Sequence, residues 1–301
     1  MNYSLRRRLY LFGINKLHLP RIAISAIVKV LAVILDPLPW LVRGRAARRL
    51  LRRDGTIAPV PEAAGYRLVR PDELPGSAAA VAACRRIFAA ARGDLRRRLT
   101  EVSKPFLVPV TRSGEELMAC PEIRDFVLSP ELMGVVVRYF GTVPVLTNLH
   151  LLWTPPNNTM EKSQKYHFDT EDYRQLKLFI NIFDVDAAAG PVTLLPADAS
   201  QAVSSRTGYV GGRRSRMEDA QVERIAPGNA VQALAPAGGG IFIDTSRCLH
   251  FGSRGNRRER LVLQVQFMGY YAPKIEPADW RRLFQRGGPQ LSEAARLAVR
   301  C

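Results

Sequence analysis

The chain has 301 residues, of which 47% are hydrophobic and 24% charged, so it can bury a core unaided and wholesale disorder is excluded. Its formal net charge of +17 favours anionic partners, such as a membrane surface or nucleic acid. The four cysteines are far apart and form no CxxC pair, which rules out a zinc ribbon, argues against a disulfide scaffold and fits a reducing cytoplasm.

The positive charge is concentrated in the N-terminal segment, residues 1–53, which hold twelve Lys or Arg residues and a single acid, Asp36. The apolar stretch Ile22–Leu35 has polar residues at four-residue spacing and predicts a helix with one narrow polar face. It is shorter than the roughly 20 residues that a bilayer span needs. Together with the basic run that follows, it is typical of peripheral contact with an anionic membrane, and a helix packed on the body of the protein is the equal alternative.

Residues 54–69 predict a linker, because glycines and prolines recur in them, and residues 70–301 predict one further domain. Residues 77–99 have a helical apolar face. A second helix is predicted to begin near Ser129 and to end at Gly141, because serine is a common N-cap and glycine a common C-cap.

From Val143 onward the pattern changes to short strands separated by Gly/Pro turns, with no alternating helices. The predicted strands are Val145–Trp153, Lys177–Val185, Val192–Leu195, Ile241–Ile243 and Leu261–Met268. This arrangement predicts a mainly β domain with flanking helices, built as a sandwich or barrel. Residues 201–224 are rich in Ser, Gly and Arg and predict a long lid loop.

Candidate metal ligands stand in the sequence Tyr166-His167-Phe168-Asp169. Residues i and i+2 of a strand share a face, so His167 and Asp169 project together and form two-thirds of a 2-His-1-carboxylate facial triad. Taken alone, such a pair is more often a surface His–Asp pair. His250 comes after a glycine-rich turn and a short strand, and Arg260 opens the next apolar strand ten residues later.

About residues 70–272 resemble the phytanoyl-CoA dioxygenase-like family of Fe(II)/2-oxoglutarate-dependent oxygenases. The resemblance is carried by motifs in a fixed order: His167-Phe168-Asp169, Gly190-Pro191, His250 and Arg260. It implies a double-stranded β-helix core (a jelly roll of the cupin type). It also implies an enzyme that uses Fe(II), 2-oxoglutarate and O2 to hydroxylate an unactivated C–H bond of a small molecule.

By that resemblance, His167, Asp169 and His250 bind iron, and Arg260 binds the far carboxylate of 2-oxoglutarate. A planar guanidinium suits this role because it pairs bidentately with a carboxylate. Other arginines of the same loop are alternatives: Arg254, Arg257 and Arg258.

Other polar residues near the motif have smaller expected roles. Ser253 is expected to add a hydrogen bond to the far carboxylate. Asn181, or Lys177 on the same strand face, is expected to contact the other end of the cosubstrate, and a polar residue tolerated at a barrel mouth is the alternative for both. His150 lies in an apolar strand and predicts a hydrogen-bonded core histidine.

The functional alternative is a catalytically silent cupin-like module that binds an anionic ligand or a membrane partner. A nucleic-acid oxygenase is disfavoured, because the arginine runs lack interleaved aromatic residues. Arginines in and near residues 201–224 favour an anionic substrate, and a lipid-linked one also fits; solvated arginines are the alternative. The expected location is the cytoplasm, with membrane association through residues 1–53.

Overall fold

The computed structural model describes residues 1–53, 57–71, 73–211, 216–275, 280–284 and 290–300. The α-helices in these ranges are α1 (Tyr3–Asn15), α2 (Arg21–Leu35), α3 (Leu38–Arg53), α4 (Ser77–Arg98), α5 (Gly114–Met118), α6 (Pro121–Val127), α7 (Pro130–Phe140), α8 (Ala197–Thr207), α9 (Asp219–Ile225) and α10 (Glu293–Val299). The strands are β1 (Tyr66–Val69), β2 (Val108–Pro109), β3 (Val145–Thr154), β4 (Gln175–Asn181), β5 (Thr193–Leu194), β6 (Val231–Gln232), β7 (Gly240–Asp244), β8 (His250–Phe251) and β9 (Arg260–Met268). Short 3₁₀ turns occupy Lys162–Gln164, Ala187–Ala189 and Trp280–Phe284.

The strands form a large and a small antiparallel sheet. The large sheet has the order β1-β7-β4-β9-β3-β2, and the small sheet has the order β6-β5-β8. One face of the large sheet packs on the helices α4, α6 and α7 through the main apolar core. The other face meets the small sheet through a second cluster, in which Leu194 of the small sheet packs with Ile241, Ile243 and Phe179 of the large one. A space lined by strand side chains is thereby formed between the sheets.

The helix and strand ends follow the local sequence signals. The Ser129 hydroxyl accepts a hydrogen bond from the Leu132 amide at the start of α7, and Gly141 ends that helix with a φ of 70°. Strand β7 begins at Gly240, where a Cβ atom would lie 1.8 Å from the Phe179 carbonyl oxygen of β4. Glycine is therefore required for β7 to pair at this register.

Three expectations about the architecture are corrected. The domain is mixed helix and antiparallel sheet rather than mainly β, because short helices such as α5 and α6 add to the longer ones where the sequence has little periodicity. Residues 201–224 are not one long loop, since α8 and α9 occupy most of them and residues 212–215 lie outside the described residues. The proposed linker 54–69 ends in strand β1, which pairs with β7, and its residues 54–56 lie outside the described residues.

The N-terminal segment forms the helices α1, α2 and α3, which contact the rest of the protein through buried basic side chains. The Arg43 guanidinium is buried and donates to the carbonyl oxygens of Val143 and Leu297, at 2.9 and 2.7 Å. Arg6 donates to the Tyr270 carbonyl oxygen at 2.7 Å. On this face, residues 1–53 therefore pack on the body of the protein, which is one of the two alternatives that the sequence left open.

Candidate metal centre

The candidate metal ligands come together where the small sheet meets the chain segment before β4. His167 and His250 form an antiparallel bridge, and the two amide-to-carbonyl distances are 3.0 and 3.1 Å. The Nε2 atoms of both rings lie 3.8 Å from carboxylate oxygens of Asp169. The three side chains thus offer ligand atoms within 4.8 Å of one another, which is a spacing that a single metal ion can bridge.

The backbone fixes which nitrogen of each ring faces the cluster. The Nδ1 atom of His167 lies 2.9 Å from the Lys165 carbonyl oxygen, and that of His250 lies 3.0 Å from the Cys248 carbonyl oxygen. A carbonyl oxygen can only accept, so each Nδ1 carries the proton and each Nε2 presents a lone pair. Burial lowers the pKa of His167 to about 3 and also lowers the pKa of His250, so both rings are neutral, as metal ligands must be.

The third ligand, Asp169, is held in its ionised form. Burial by itself would raise its pKa, but the Lys177 ammonium, 2.7 Å away, outweighs burial, so the pKa lies below its usual range. The Asp169 backbone is fixed as well, because its amide donates to Thr245 and its carbonyl accepts from Arg21 of α2 at 3.0 Å. The N-terminal segment therefore touches the residue that carries the carboxylate ligand.

A buried guanidinium without an anionic partner lies in the space between the sheets. Arg260 begins β9, is 3% exposed, and donates from Nη2 to the Ser253 hydroxyl at 2.7 Å. Its Nε has no hydrogen-bond partner, and within the described residues no carboxylate pairs with it. Burial lowers its pKa to about 10. An uncompensated buried charge is costly, so this position is suited to an anionic ligand.

The loop before Arg260 is rigidly held. The Ser253 carbonyl oxygen accepts from Gln164 at 2.6 Å and from Asn157 at 3.2 Å, and the residue has a positive φ of 63°. The Ser253 hydroxyl also accepts from Thr154 at 3.1 Å, so it connects two buried polar side chains. Ser253 and Arg260 are therefore positioned together, and their shared role in binding an anion stays a prediction.

The structure separates the arginines that the sequence left as alternatives. Arg257 and Arg258 are exposed, and Arg258 pairs with Asp186. Arg254 pairs with Asp219 of α9 at 2.6 Å. The pairing of Arg254 also weakens the case that it recognises an anionic substrate.

Two polar residues of β4 differ in their distance from the ligands. Lys177 contacts Asp169, whereas the side-chain amide of Asn181 donates to the Ala235 carbonyl oxygen at 3.0 Å. The amide of Asn181 is therefore committed to the backbone, and Lys177 is the β4 side chain at the metal end of the space.

Two basic side chains, His150 and Lys104, lie where their sequence positions did not predict them. His150 pairs with Gln264 of β9, and Gln264 pairs with Phe179 of β4. Phe179 and Lys177 are two residues apart on β4 and share one face of the sheet, so His150 lies on that face rather than in the apolar core. Burial and Lys177 lower its pKa. Polar residues alternate with leucines along β3, and this alternation is the signal that could have placed His150 on the inner face. Lys104 comes from a loop and interacts electrostatically with Asp169; no local pattern marks it.

A cavity of about 1090 Å³ is lined by Thr170, the residue after Asp169, but by none of the three candidate ligands. Its wall includes Asn148 and Gln266 of the large sheet, together with Leu11 and Ile14 of α1. Gln266 lies directly opposite Lys177 in the sheet, so the cavity is one strand away from the Lys177–Asp169 contact. The cavity has the size range of sites for small organic molecules and combines polar with apolar walls.

No family model matches the chain, and no curated protein matches it. Several solved structures align with part of it. The epimerase SnoN, in complex with Fe3+, alpha ketoglutarate and nogalamycin RO, is 18% identical with a TM-score of 0.43, covering 75% of this chain and 84% of that one. EctD from S. alaskensis, in its apoform, is 14% identical with a TM-score of 0.49, covering 72% and 76%. HygX from Streptomyces hygroscopicus, with nickel and 2-oxoglutarate bound, is 12% identical with a TM-score of 0.44, covering 77% and 93%.

At these identities and TM-scores, a functional assignment has to rest on the side chains of the site. The resemblance to the phytanoyl-CoA dioxygenase-like family stays a prediction. The donor set itself fits Fe(II), because two neutral imidazoles and one carboxylate leave coordination positions open for a chelating cosubstrate and O2.

Proposed function

We propose that the protein is an Fe(II)/2-oxoglutarate-dependent oxygenase with a jelly-roll core, and that it hydroxylates a small organic molecule. The observation that carries the proposal is the pairing of two features in one space. Three converging ligand atoms suit a divalent metal, and the buried, unpaired guanidinium of Arg260 suits a ligand with a free carboxylate. 2-Oxoglutarate is such a ligand, since it has a chelating end and a second carboxylate.

The proposed roles follow from these contacts. His167, Asp169 and His250 hold the iron, which, with 2-oxoglutarate and O2 bound, supplies the oxidising chemistry for a C–H bond. The carbonyl acceptors of their Nδ1 protons keep both Nε2 lone pairs aimed at the metal. Arg260 and Ser253 hold the far carboxylate of the cosubstrate. The apolar shell between the sheets excludes water.

Lys177 keeps the role that the sequence suggested, which is contact with the metal-side end of the cosubstrate. Its ammonium lies 2.7 Å from Asp169 Oδ2, so it reaches the ligand cluster and would lie beside the anionic groups of a cosubstrate held there. Asn181 then supports β4 through its bond to Ala235 and makes no contact with the cosubstrate.

We assign the substrate to the 1090 Å³ cavity, whose wall includes Gln266, the residue opposite Lys177 in the sheet. Its lining of Asn148, Gln266, Leu11 and Ile14 suits a molecule that has both polar and apolar parts. The positive charges of Lys104 and Lys177 near Asp169 favour an anionic group on the cosubstrate or the substrate.

The direct test is turnover of 2-oxoglutarate by the purified protein. With Fe(II), ascorbate and air, succinate should form slowly even without a substrate, and Asp169→Ala should abolish this. Arg257→Ala, at an exposed position of the same loop, is the matched control and should retain it. Iron binding without any succinate formation, or without 2-oxoglutarate binding, would favour the silent ligand-binding module instead.

A further inference from the structure

Helices α1, α2 and α3 turn a large apolar surface toward solvent. Of the exposed large hydrophobic side chains in the described residues, all but four lie between residues 5 and 41. The most exposed of them, at 51–67%, form what we call the α1–α3 apolar surface: Phe12, Leu17, Ile22, Val30, Ile34, Leu35, Leu38 and Trp40. Exposed apolar side chains concentrated in one segment in this way are unusual for a surface that contacts only water.

Helix α2 turns apolar side chains toward solvent and its polar side chains inward. Ser25 is fully buried, and Lys29 reaches the buried carboxylate of Asp172 at 2.5 Å. Ile22 and Ile34 face outward, at 62% and 67% exposure, and the buried side also contains apolar residues: Ile24, Val28 and Ala32. A helix at a water-exposed surface normally turns polar residues outward, so the outer side of α2 calls for an apolar environment outside the protein.

The excess of basic residues around this surface favours an anionic environment. Residues 1–53 contain twelve basic residues and one acid, and that acid, Asp36, lies 3.4 Å from the N-terminal amine. Basic side chains such as Arg7, Arg8, Lys16 and Arg48 remain exposed beside the apolar residues. Exposed apolar residues with a surrounding excess of Lys and Arg complement an anionic bilayer, where the former enter the acyl boundary and the latter meet the headgroups.

The helix geometry favours a surface-bound segment over a spanning one. Within the described chain, no helix is by itself long and apolar enough to cross a bilayer. Helices Arg21–Leu35 and Leu38–Arg52 together have the length and apolar composition of a membrane span, but the chain bends by 97° between them. Buried contacts such as Arg43 to Val143 and Lys29 to Asp172 tie both helices of the pair to the domain.

We propose that the α1–α3 apolar surface docks the protein on an anionic lipid bilayer, with the three helices lying in the interfacial layer. Helix α1 supplies Phe12 to this surface and Leu11 and Ile14 to the wall of the 1090 Å³ cavity. Docking therefore places a wall of the cavity at the membrane. The docking proposal stands on the helices alone and is independent of the proposed oxygenase activity.

The test is binding of the full-length protein to vesicles of phosphatidylcholine alone or mixed with phosphatidylglycerol. We expect co-sedimentation with the mixed vesicles, weakened by salt because the headgroup attraction is screened. Ile34→Glu should weaken binding at least about tenfold, since burying one such side chain is worth about 1.5–3 kcal/mol. Leu234→Glu is the matched control: it introduces the same charge at an exposed leucine elsewhere and should bind as the parent does.

Tryptophan fluorescence gives a second, independent readout. Trp40 is 51% exposed, whereas Trp153 and Trp280 are buried at 9% and 3%. Adding mixed vesicles should therefore shift the emission to the blue, and Trp40→Phe should remove the shift while retaining most of the sedimentation. Both glutamate variants replace exposed residues, so their thermal unfolding should match that of the parent, which separates loss of binding from loss of folding.

Two results would overturn the proposal. The first is full-length protein that ignores phosphatidylglycerol vesicles at low salt. The second is a parent protein that sediments as a dimer, becomes a monomer on Ile34→Glu and binds no vesicles, because the α1–α3 apolar surface would then be an interface between two copies of the chain. Neither result bears on iron or 2-oxoglutarate binding, which are measured without vesicles.

Discussion

Replacing Arg260 should separate cosubstrate binding from both metal binding and folding. The guanidinium is 3% exposed, donates to Ser253, and leaves its Nε without a partner. A pKa lowered from 12.5 to about 10 corresponds to about 3 kcal/mol of unfavourable burial for the charged form. The ligand-free protein therefore bears an electrostatic cost at this position, and an anionic ligand would offset it.

The expected effect on 2-oxoglutarate is large. Removing one partner of a buried charge-assisted pair costs about 2–5 kcal/mol, so Arg260→Ala should weaken 2-oxoglutarate binding by about 30-fold to a few thousand-fold. Arg260→Lys should recover part of the loss, because a point charge replaces a planar fork. Arg260→Met fills a similar volume without charge, so without ligand its free energy of unfolding should equal or exceed that of the parent.

The assay is an anaerobic titration of 2-oxoglutarate into the iron-loaded variants, followed by the metal-to-ligand absorption band. Iron affinity is measured separately and should be unchanged, because Arg260 is not a ligand. Arg257→Ala, at an exposed position of the same loop, is the control. If Arg260→Ala binds 2-oxoglutarate as the parent does and Arg257→Ala binds it much more weakly, Arg257 is the residue that holds the far carboxylate. If both variants bind 2-oxoglutarate as the parent does, the assignment of 2-oxoglutarate as cosubstrate is wrong.

The other predictions address the ligands, the core and a buried acid. His167→Ala and His250→Ala should each abolish stoichiometric iron binding, measured as metal retained after desalting; retention as in the parent would contradict the ligand set. Phe242→Ala empties a fully buried site between β1 and β4 and should lower the free energy of unfolding by about 3–5 kcal/mol in a denaturant titration. Burial raises the pKa of Asp244, so its contribution to stability is full below the ordinary carboxyl pKa of about 4 and is lost as pH rises through the raised value. The free energy of unfolding of Asp244→Asn relative to the parent should therefore increase with pH across that window, and a flat difference would refute the reasoning.

The sequence by itself indicated the elements whose signals are local. Short apolar runs between Gly/Pro turns placed β3, β4, β7 and β9 within a few residues, and caps placed the ends of α7. Two-residue periodicity put His167 and Asp169 on one face, since that relation depends on backbone geometry within a single segment. The position of Arg260 at the start of β9 was predicted for the same reason.

The relations between distant segments were decided by the tertiary structure. The bridge that joins His167 to His250 links residues 83 positions apart, and no local pattern encodes it. The choice between Arg260 and its neighbours depends on which side chains the fold buries. The orientation of α2 is the clearest case: its periodicity predicts one polar and one apolar face but cannot say which faces outward. That choice is made by the partners that the folded domain supplies, such as the buried carboxylate of Asp172 that receives Lys29.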